Sequence, residues 1–507
     1  AFVDRLYFDT QGNSSRTYSS ISQSNTNNSS YSLRGQLSYS DVYREIHRFS
    51  VLAGAEIRGE KAEGIFEKRY GYDPVTGNSA MPVPKDPGNG EGFKYSDLVS
   101  YANAMDQLSG QEIEENRFAS FYGALDYSLF DRYVLNVSFR TDGSNNFGSD
   151  EQFNPTWSAG AVWHVSEETF MEVVRPVLSR LSLRVATGYT GNINKTVKPN
   201  LMMKYYKNFR ISDDENYRMG YINNAPNPKL RWEKTRDVKV ALDFGLWKDR
   251  INGIVEAYWR KSKDCVTSEY VPVTTGFFNQ SYNTSVLQNN GVEFSLSVAV
   301  LKSKDYNLSV SANVAWNQNK LKKYNSPNTS LALDKYVGYP MGAVFSGKYE
   351  GIDPETGMYK FKLRPDAVTN KDGYLREPNN YYYYLGTSVA PFTGGFNLNF
   401  SYKNIGLSVG GSYSVKAKMV DNIESPAGYE LLSGSKLESI PTPHNDLYRN
   451  HLNVKREVRN RWTPENRTGV KYPRLIDAYG KKLGLDLTNP TLTTITRGAL
   501  LEDISYL

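Results

Sequence analysis

The 507-residue sequence predicts an all-β fold, specifically a transmembrane antiparallel β-barrel with long extracellular loops. Three observations carry that prediction. The composition is rich in aromatic residues and glycine yet contains no stretch that could cross a bilayer as a helix. Segment after segment alternates apolar and polar residues with period two, and the links between those segments are short and long in turn.

Composition sets the bounds. Hydrophobic residues make up 39% and the mean hydropathy is −0.57. No run approaches the roughly 18 apolar residues that a membrane helix needs. Instead the chain carries 38 Tyr, 22 Phe, 7 Trp and 40 Gly, a balance suited to strands with lipid on one side and water on the other. The formal charge of +6, with 60 Lys and Arg against 54 Asp and Glu, comes without a polybasic block, so nothing favours nucleic acid as a partner. The single cysteine, Cys265, excludes an internal disulfide.

In chain order, Ala1–Thr10 already reads like barrel sequence. Tyr31–Tyr39 and Phe49–Glu60 form a first strand pair joined through Asp41–Arg48, and Gly64–Asn116, rich in Gly, Pro and charge, is an outer loop. Phe121–Leu129, Tyr133–Arg140, Trp157–Trp163 and Leu181–Tyr189 follow as strands. Val238, Val240, Leu242, Phe244 and Leu246 then share one face against Lys239, Ala241, Asp243 and Gly245. After Ile251–Arg260, the pattern returns with Val292, Phe294, Leu296, Val298 and Val300 opposite Glu293, Ser295, Ser297 and Ala299. It is clearest in Tyr306–Asn317, where Leu308, Val310, Ala312 and Val314 oppose Ser309, Ser311 and Asn313. Phe396–Tyr402 and Ile405–Tyr413 bring the total to about a dozen crossings, each near the length a tilted strand needs. Alternation by itself also fits a soluble sandwich. The second face breaks the tie, because Ser, Asn, Gly and scattered charges suit a wet lumen better than a sheet-on-sheet core.

Connections give the orientation. Phe130-Asp131-Arg132, Trp247–Arg250, Lys302–Asp305 and Lys403-Asn404 are tight, whereas Gly191–Leu230, Ser262–Gln288, Asn319–Phe392 and the sequence from Val415 onward are long and polar. Short turns face the periplasm in bacterial barrels and long loops face outward. Tyr133, Trp163, Trp247, Tyr306 and Tyr402 fall beside the short turns, as an interfacial aromatic girdle requires.

Catalytic chemistry has no positive signal: P-loop, G-x-G-x-x-G, H-E-x-x-H and C-x-x-C patterns are absent. The histidines His47, His164, His444 and His451 are scattered, which fits neither a metal site nor the Ser and His pair of a barrel lipase. Glu167 and Glu168 are adjacent carboxylates, expected in a solvated turn. The loops offer more. Asn145, Asn146 and Phe147 lie just past a strand, Tyr205 and Tyr206 occupy a second loop, and Tyr381, Tyr382, Tyr383 and Tyr384 form a run in a third. Flat rings with hydroxyl handles suit sugar faces and peptide side chains alike, so these nine residues are the candidate contacts for cargo or lid. No cofactor is expected.

Several segments resemble the SusC-like subgroup of TonB-dependent transporters of Bacteroidetes. They are Arg140–Gly148 (RTDGSNNFG), Gly188–Asn192 (GYTGN), Asn227–Thr235 (NPKLRWEKT), Asn289–Phe294 (NNGVEF), Gly351–Gly357 (GIDPETG), Arg461–Thr468 (RWTPENRT) and Tyr472–Leu475 (YPRL). Each is short, but their order is that of the family and the likeness runs from about Arg48 onward. The resemblance implies a 22-stranded, plugged barrel in the outer membrane, non-enzymatic, importing oligosaccharide or peptide under a SusD-like lipoprotein lid and driven by the TonB complex through its plug. It is also compatible with a dimer of transporter–lipoprotein pairs. Against that pattern, residues 1–507 read as barrel alone, without plug or TonB box, and Leu501–Leu507 (LEDISYL) resembles the entry into a further strand.

Overall fold

The computed structural model describes residues 7–8, 20–70, 75–78, 83–84, 109–194, 197–205, 220–277, 279–324, 337–355, 357, 359–367, 382–420, 460–472 and 501–503. Twelve strands form one sheet, each hydrogen-bonded to the next along the chain and every neighbouring pair antiparallel. They are β1 (Ser20–Tyr43), β2 (His47–Tyr70), β3 (Ser109–Leu129), β4 (Tyr133–Ser144), β5 (Phe153–His164) and β6 (Leu178–Asn192). The remainder are β7 (Glu233–Leu246), β8 (Ile251–Tyr270), β9 (Asn279–Lys302), β10 (Tyr306–Lys323), β11 (Phe392–Tyr402) and β12 (Ile405–Val415). All twelve expected strands are present.

Register turns twelve separate alternations into two continuous faces. Leu183, Leu242, Val255, Phe294 and Val314 are successive cross-strand partners, as are Val298, Val310, Leu398 and Val409. One residue of slip in any strand would break these rows and turn polar groups into the apolar face. The opposite face is tied by side-chain bonds across strands: Ser138 to Ser158 at 2.6 Å, Arg184 to Asp243 at 2.6 Å, Lys239 to Glu256 at 3.1 Å and Arg260 to Asp237 at 2.7 Å.

Glycine and aromatic residues are abundant because they are paired. Gly54, Gly253, Gly291 and Gly411 stand directly opposite Tyr122, Phe244, Tyr258 and Phe396, and in each case the ring lies where a Cβ on the glycine would be, within 2.5 Å or less. A ring folded over a bare backbone replaces the side-chain contact the glycine lacks.

The girdle residues stand together at the short-turn end. Tyr133 pairs with Trp163 and Tyr306 with Tyr402, and all five rings are 36% to 51% exposed. A second set, Trp157, Trp259 and Trp316, lies exposed toward the far end of the same face. Tyr306 and Trp316 stand ten residues apart on β10; at about 3.4 Å per residue and a tilt near 40° that rise is roughly 25 Å, the height of an outer-membrane apolar band.

Loop expectations need correction. The stretch Ser262–Gln288 is mostly sheet: β8 and β9 continue as a tall hairpin to the Val273–Thr275 turn. Gly64–Asn116 likewise begins and ends as strand, since β2 reaches Tyr70 and β3 starts at Ser109. The first strand runs from Ser20, and its turn is confined to Arg44, Glu45 and Ile46. Above the bilayer both faces of a strand meet water, so Ser20–Ser30 has no alternation to reveal it. Two expected loops hold small hairpins, Met202–Tyr205 with Gly220–Asn224, and Ala343–Gly347 with Tyr382–Thr387. Of Ala1–Thr10, only Tyr7–Phe8 is described, paired with Val83–Pro84. Leu501–Asp503 pairs antiparallel with Lys418–Val420, just past β12.

The turns are strained where they are tight. Phe130 and Asp131, Trp247 to Asp249, and Lys403 all adopt positive φ between 49° and 60°, a region that costs an L-residue about 1–2 kcal/mol. Glu168 is not the solvated group expected. It accepts hydrogen bonds from the Tyr133 hydroxyl at 2.6 Å, the Trp163 indole at 3.1 Å and Arg132 at 3.3 Å, and these hold its pKa below the usual carboxylate range despite desolvation.

Opposite tolerance of neighbouring positions follows from the register. In protein refolded into vesicles, Val310→Arg should cost about 2–4 kcal/mol at mid-bilayer and Ser309→Arg far less, read by urea unfolding. Equal losses at both positions would refute the assignment of faces.

Candidate functional site: the lumen wall and its outer rim

The polar face divides into two sectors. From β1 to β8 it carries charges, and several are neutralised in place: Arg34 with Glu56 at 3.0 Å, and Arg140 with Asp142 at 2.7 Å, besides the pairs on β6 to β8, whereas Asp126 and Arg180 meet the side-chain amides of Asn136 and Asn252. Ser120 donates to Asp142 at 2.6 Å and accepts from Arg140 at 2.9 Å, closing a three-residue knot. From β9 to β12 the same face is mostly uncharged, presenting Ser295, Ser297, Ser309, Ser311, Asn313, Asn397, Asn399, Ser408 and Ser412, with Glu293 at mid-wall and Lys302 opposite Asn307 near the short turn. A depression of about 450 Å³ follows this sector, lined by Ser297, Ser311, Asn313 and Asn397 together with Asn252 and the cationic Arg180. Hydroxyls and amides there both donate and accept, so a neutral polar chain can exchange partners along the wall without leaving a buried group unpaired.

At the outer rim of β9 and β10 the wall opens into a cleft of about 510 Å³, lined in part by Asn289, Asn317, Asn319, Tyr339 and Tyr384. Tyr339, Phe345 and Tyr384 form an aromatic cluster with ring centroids 4.8 to 5.7 Å apart. The segment is moored to β10 by Leu321 and Gly338, whose amides bond the carbonyls of Tyr339 and Leu321 at 2.8 and 2.7 Å. Asn319 donates to Asn289 at 2.6 Å and accepts from the Met341 amide at 2.7 Å, which fixes two carboxamides at the cleft floor. Burial and the neighbouring Tyr339 push the Tyr384 hydroxyl pKa up, so it stays a donor.

The candidate contacts separate accordingly. Tyr384 is 40% exposed and opens on the cleft. Tyr383 donates to the Leu363 carbonyl at 2.9 Å, and Tyr382 pairs through its backbone with Gly347. Tyr205 pairs through its backbone with Gly220. Tyr206 and Tyr381 lie outside the described residues. Asn145, Asn146 and Phe147 belong to a different structure. Asn145 donates to the Glu115 carbonyl at 3.0 Å and accepts from the Arg117 amide at 2.9 Å, acting as a surrogate strand partner for β3. The buried Asn146 donates to Asn116 at 2.7 Å and accepts from Lys198 at 2.9 Å. Phe147 is buried and stacked on Trp232 at 4.6 Å.

That stack joins two motifs far apart in sequence. Gly148 donates to the Leu230 carbonyl at 2.9 Å, and a Cβ at Gly148 would sit 1.8 Å from the Pro228 oxygen, so no other residue fits this approach. Arg140–Gly148 and Asn227–Thr235 therefore make one clamp, to which Asn227 and Asn283 tie the β8–β9 hairpin through the Ser281 carbonyl at 2.7 Å and the Arg231 carbonyl at 2.7 Å. Gly351–Gly357 and Arg461–Thr468 meet as well, the buried Trp462 donating to the Pro354 carbonyl at 3.0 Å. Sequence reading found these motifs but not their pairing, nor the Tyr339–Phe345–Tyr384 cluster. Tyr339 and Phe345 are single aromatics without a pattern to mark them.

Comparison with known proteins agrees with this architecture. Residues 2–432 match the family model described as TonB dependent receptor-like, beta-barrel. The chain is thus a barrel of the TonB-dependent receptor family, integral to the bacterial outer membrane. Among curated relatives it is 31% identical to the TonB-dependent receptor SusC of Bacteroides thetaiotaomicron over 57% of this chain and 26% of SusC. It is 25% identical to the TonB-dependent receptor P26 of Formosa agariphila over 91% of this chain and 44% of P26, so it spans less than half of either relative. The RagAB peptide transporter has the same fold, with a TM-score of 0.70 and 23% identity over 96% of this chain and 49% of that one. The SusC-like resemblance is borne out.

Removing the clamp's ring should loosen two segments at once. Phe147→Ala deletes a buried aromatic worth about 3–5 kcal/mol, and the amides of Gly148 and Asp150 should lose hydrogen-exchange protection; unchanged protection would show that the stack holds nothing. Cys265, above the upper aromatic row, has its thiol pKa raised to about 11 by burial and by Glu233 and Asp264. Against an ordinary thiol its thiolate fraction near pH 8 is about a hundredfold lower, so alkylation should be slow there and accelerate steeply up to pH 11. Fast labelling at pH 8 would contradict the buried placement.

Proposed function

We propose that the chain serves TonB-dependent import of oligosaccharides or oligopeptides across the outer membrane, without covalent chemistry, beneath a SusD-like lipoprotein lid. The observation that carries the reading is the Ser- and Asn-rich sector of the lumen wall, rising to an aromatic cleft at its outer rim. Serines and asparagines outnumber the charges of that sector, Glu293, Lys302 and the Arg180 that lines its depression, and sugars and peptide backbones carry the neutral donors and acceptors these groups complement. Tyr339 and Tyr384 offer rings at the entrance, and Tyr205, Tyr206 and Tyr381 to Tyr383 are further loop contacts for cargo or lid. Asn145, Asn146 and Phe147 act one step back, by holding the loops that carry such contacts. TonB engages the plug of such receptors, and a dimer of transporter–lipoprotein pairs is the proposed assembly.

A strain lacking the gene should fail to grow on at least one oligosaccharide or oligopeptide supplied as sole carbon source, and an outer-leaflet lipoprotein should co-purify with the barrel. For the cargo so identified, Tyr339→Ala with Tyr384→Ala should weaken binding about tenfold, the loss of roughly one stacking contact. Undiminished growth across glycans and peptides would end the import reading; undiminished affinity in the double variant would remove the cleft from it.

A further inference from the structure

The short-turn side of the barrel contains one connection unlike the others. Arg44–Ile46, Phe130–Arg132, Trp247–Arg250 and Lys403–Asn404 are minimal, but β5 and β6 are joined by residues 165–177. This segment is built rather than slack. Two 3₁₀ turns, Val165–Glu167 and Thr169–Met171, are continued by hydrogen bonds from Val174 and Arg175 to the Met171 carbonyl at 3.0 Å each and from Val177 to that of Val174 at 3.0 Å. Arg175 donates to the Ser166 carbonyl at 2.9 Å and ties the ends together, while Met171 is buried beneath.

Its outer surface is amphipathic, exposing Glu167, Glu172 and Arg175 beside four large apolar side chains. Phe170 is 64% exposed, Val173 88%, Val174 42% and Val177 50%. Four large apolar side chains on a rigid turn are not what a water-facing connector presents. Their setting supplies an occupant. Glu168 accepts from the Tyr133 hydroxyl and the Trp163 indole, and both rings stand on the lipid-facing side, in the register row that continues to Leu183 and Leu242. At the other end the Val177 carbonyl accepts from the Trp247 amide at 2.7 Å. The turn hangs between three residues of the lower aromatic girdle, so its apolar surface continues the established lipid interface.

We propose that residues 165–177 form a lipid-docking element that lays Phe170, Val173, Val174 and Val177 into the boundary between headgroups and acyl chains of the periplasmic phospholipid leaflet. The inference rests on the barrel's place in the outer membrane. There the element would extend the girdle below the β5–β6 junction and fix the depth of the barrel on that side, as interfacial amphipathic segments do.

The test uses the protein purified from outer membranes, with Cys265→Ser, and a single cysteine at position 173 carrying a polarity-sensitive bimane label. Position 173 is exposed, so the substitution does not disturb packing. In phosphatidylethanolamine and phosphatidylglycerol vesicles, lipid brominated near the glycerol end of its acyl chains should quench the label, and iodide should not. Leu398→Cys serves as the lipid-facing control and Asn404→Cys as the aqueous one. Iodide quenching at 173 equal to that at 404 overturns the proposal. Protection from both quenchers also overturns it, because the turn would then lie against protein. If label at 398 escapes brominated lipid, the barrel's own placement fails, and that failure is separate.

Discussion

Everything in this structure follows from one constraint, that a backbone amide or carbonyl inside hydrocarbon must find its partner within the protein. An unpaired group there costs several kcal/mol; antiparallel ladders meet that demand at every junction from β1 to β12, and among the described residues the outer edges of β1 and β12 are not paired with each other. Once the ladder is fixed, side chains have two destinations only, lipid or lumen. The rows that run through Leu242, Val255 and Phe294, and through Val310, Leu398 and Val409, are the result on the lipid side.

The lumen side answers to a different solvent and therefore to different chemistry. Much of its charge is spent on a nearby partner, as in Arg260 with Asp237 and Lys239 with Glu256 across strands. Such pairs, partly screened by water, add little stability. Their effect on the potential is larger, since each closed pair projects little field into the lumen. The sector of β9 to β12 relies mainly on neutral Ser and Asn side chains, with Glu293 and Lys302 its charges.

How much of this the sequence disclosed depended on where a strand stood. Tyr306–Asn317 was legible because lipid and water impose opposite demands on alternate residues. Ser20–Ser30 and Val266–Tyr270 were not, because outside the membrane both faces are wet and backbone pairing alone extends the strand. The tight turns were placed correctly, although Phe130 and Trp247 occupy left-handed positions that propensity would give to Gly or Asn. Among candidate contacts, composition singled out the tyrosine run but could not separate Tyr384 at the cleft from Phe147 in the clamp. An aromatic beside amides looks the same in sequence whether it stacks on cargo or on Trp232. The paired motifs Arg140–Gly148 and Asn227–Thr235 show the same limit, since only the fold brings Gly148 against Pro228.

The central claim is that one register assigns lipid and lumen faces along every strand, and an accessibility scan tests it most directly. With a nitroxide placed in turn at each position from 307 to 315 of β10 in vesicles, oxygen accessibility should peak at Leu308, Val310, Ala312 and Val314. Accessibility to a water-soluble nickel chelate should peak at Ser309, Ser311 and Asn313, half a period out of phase. Two profiles that rise and fall together, or that show no period of two, would contradict the account.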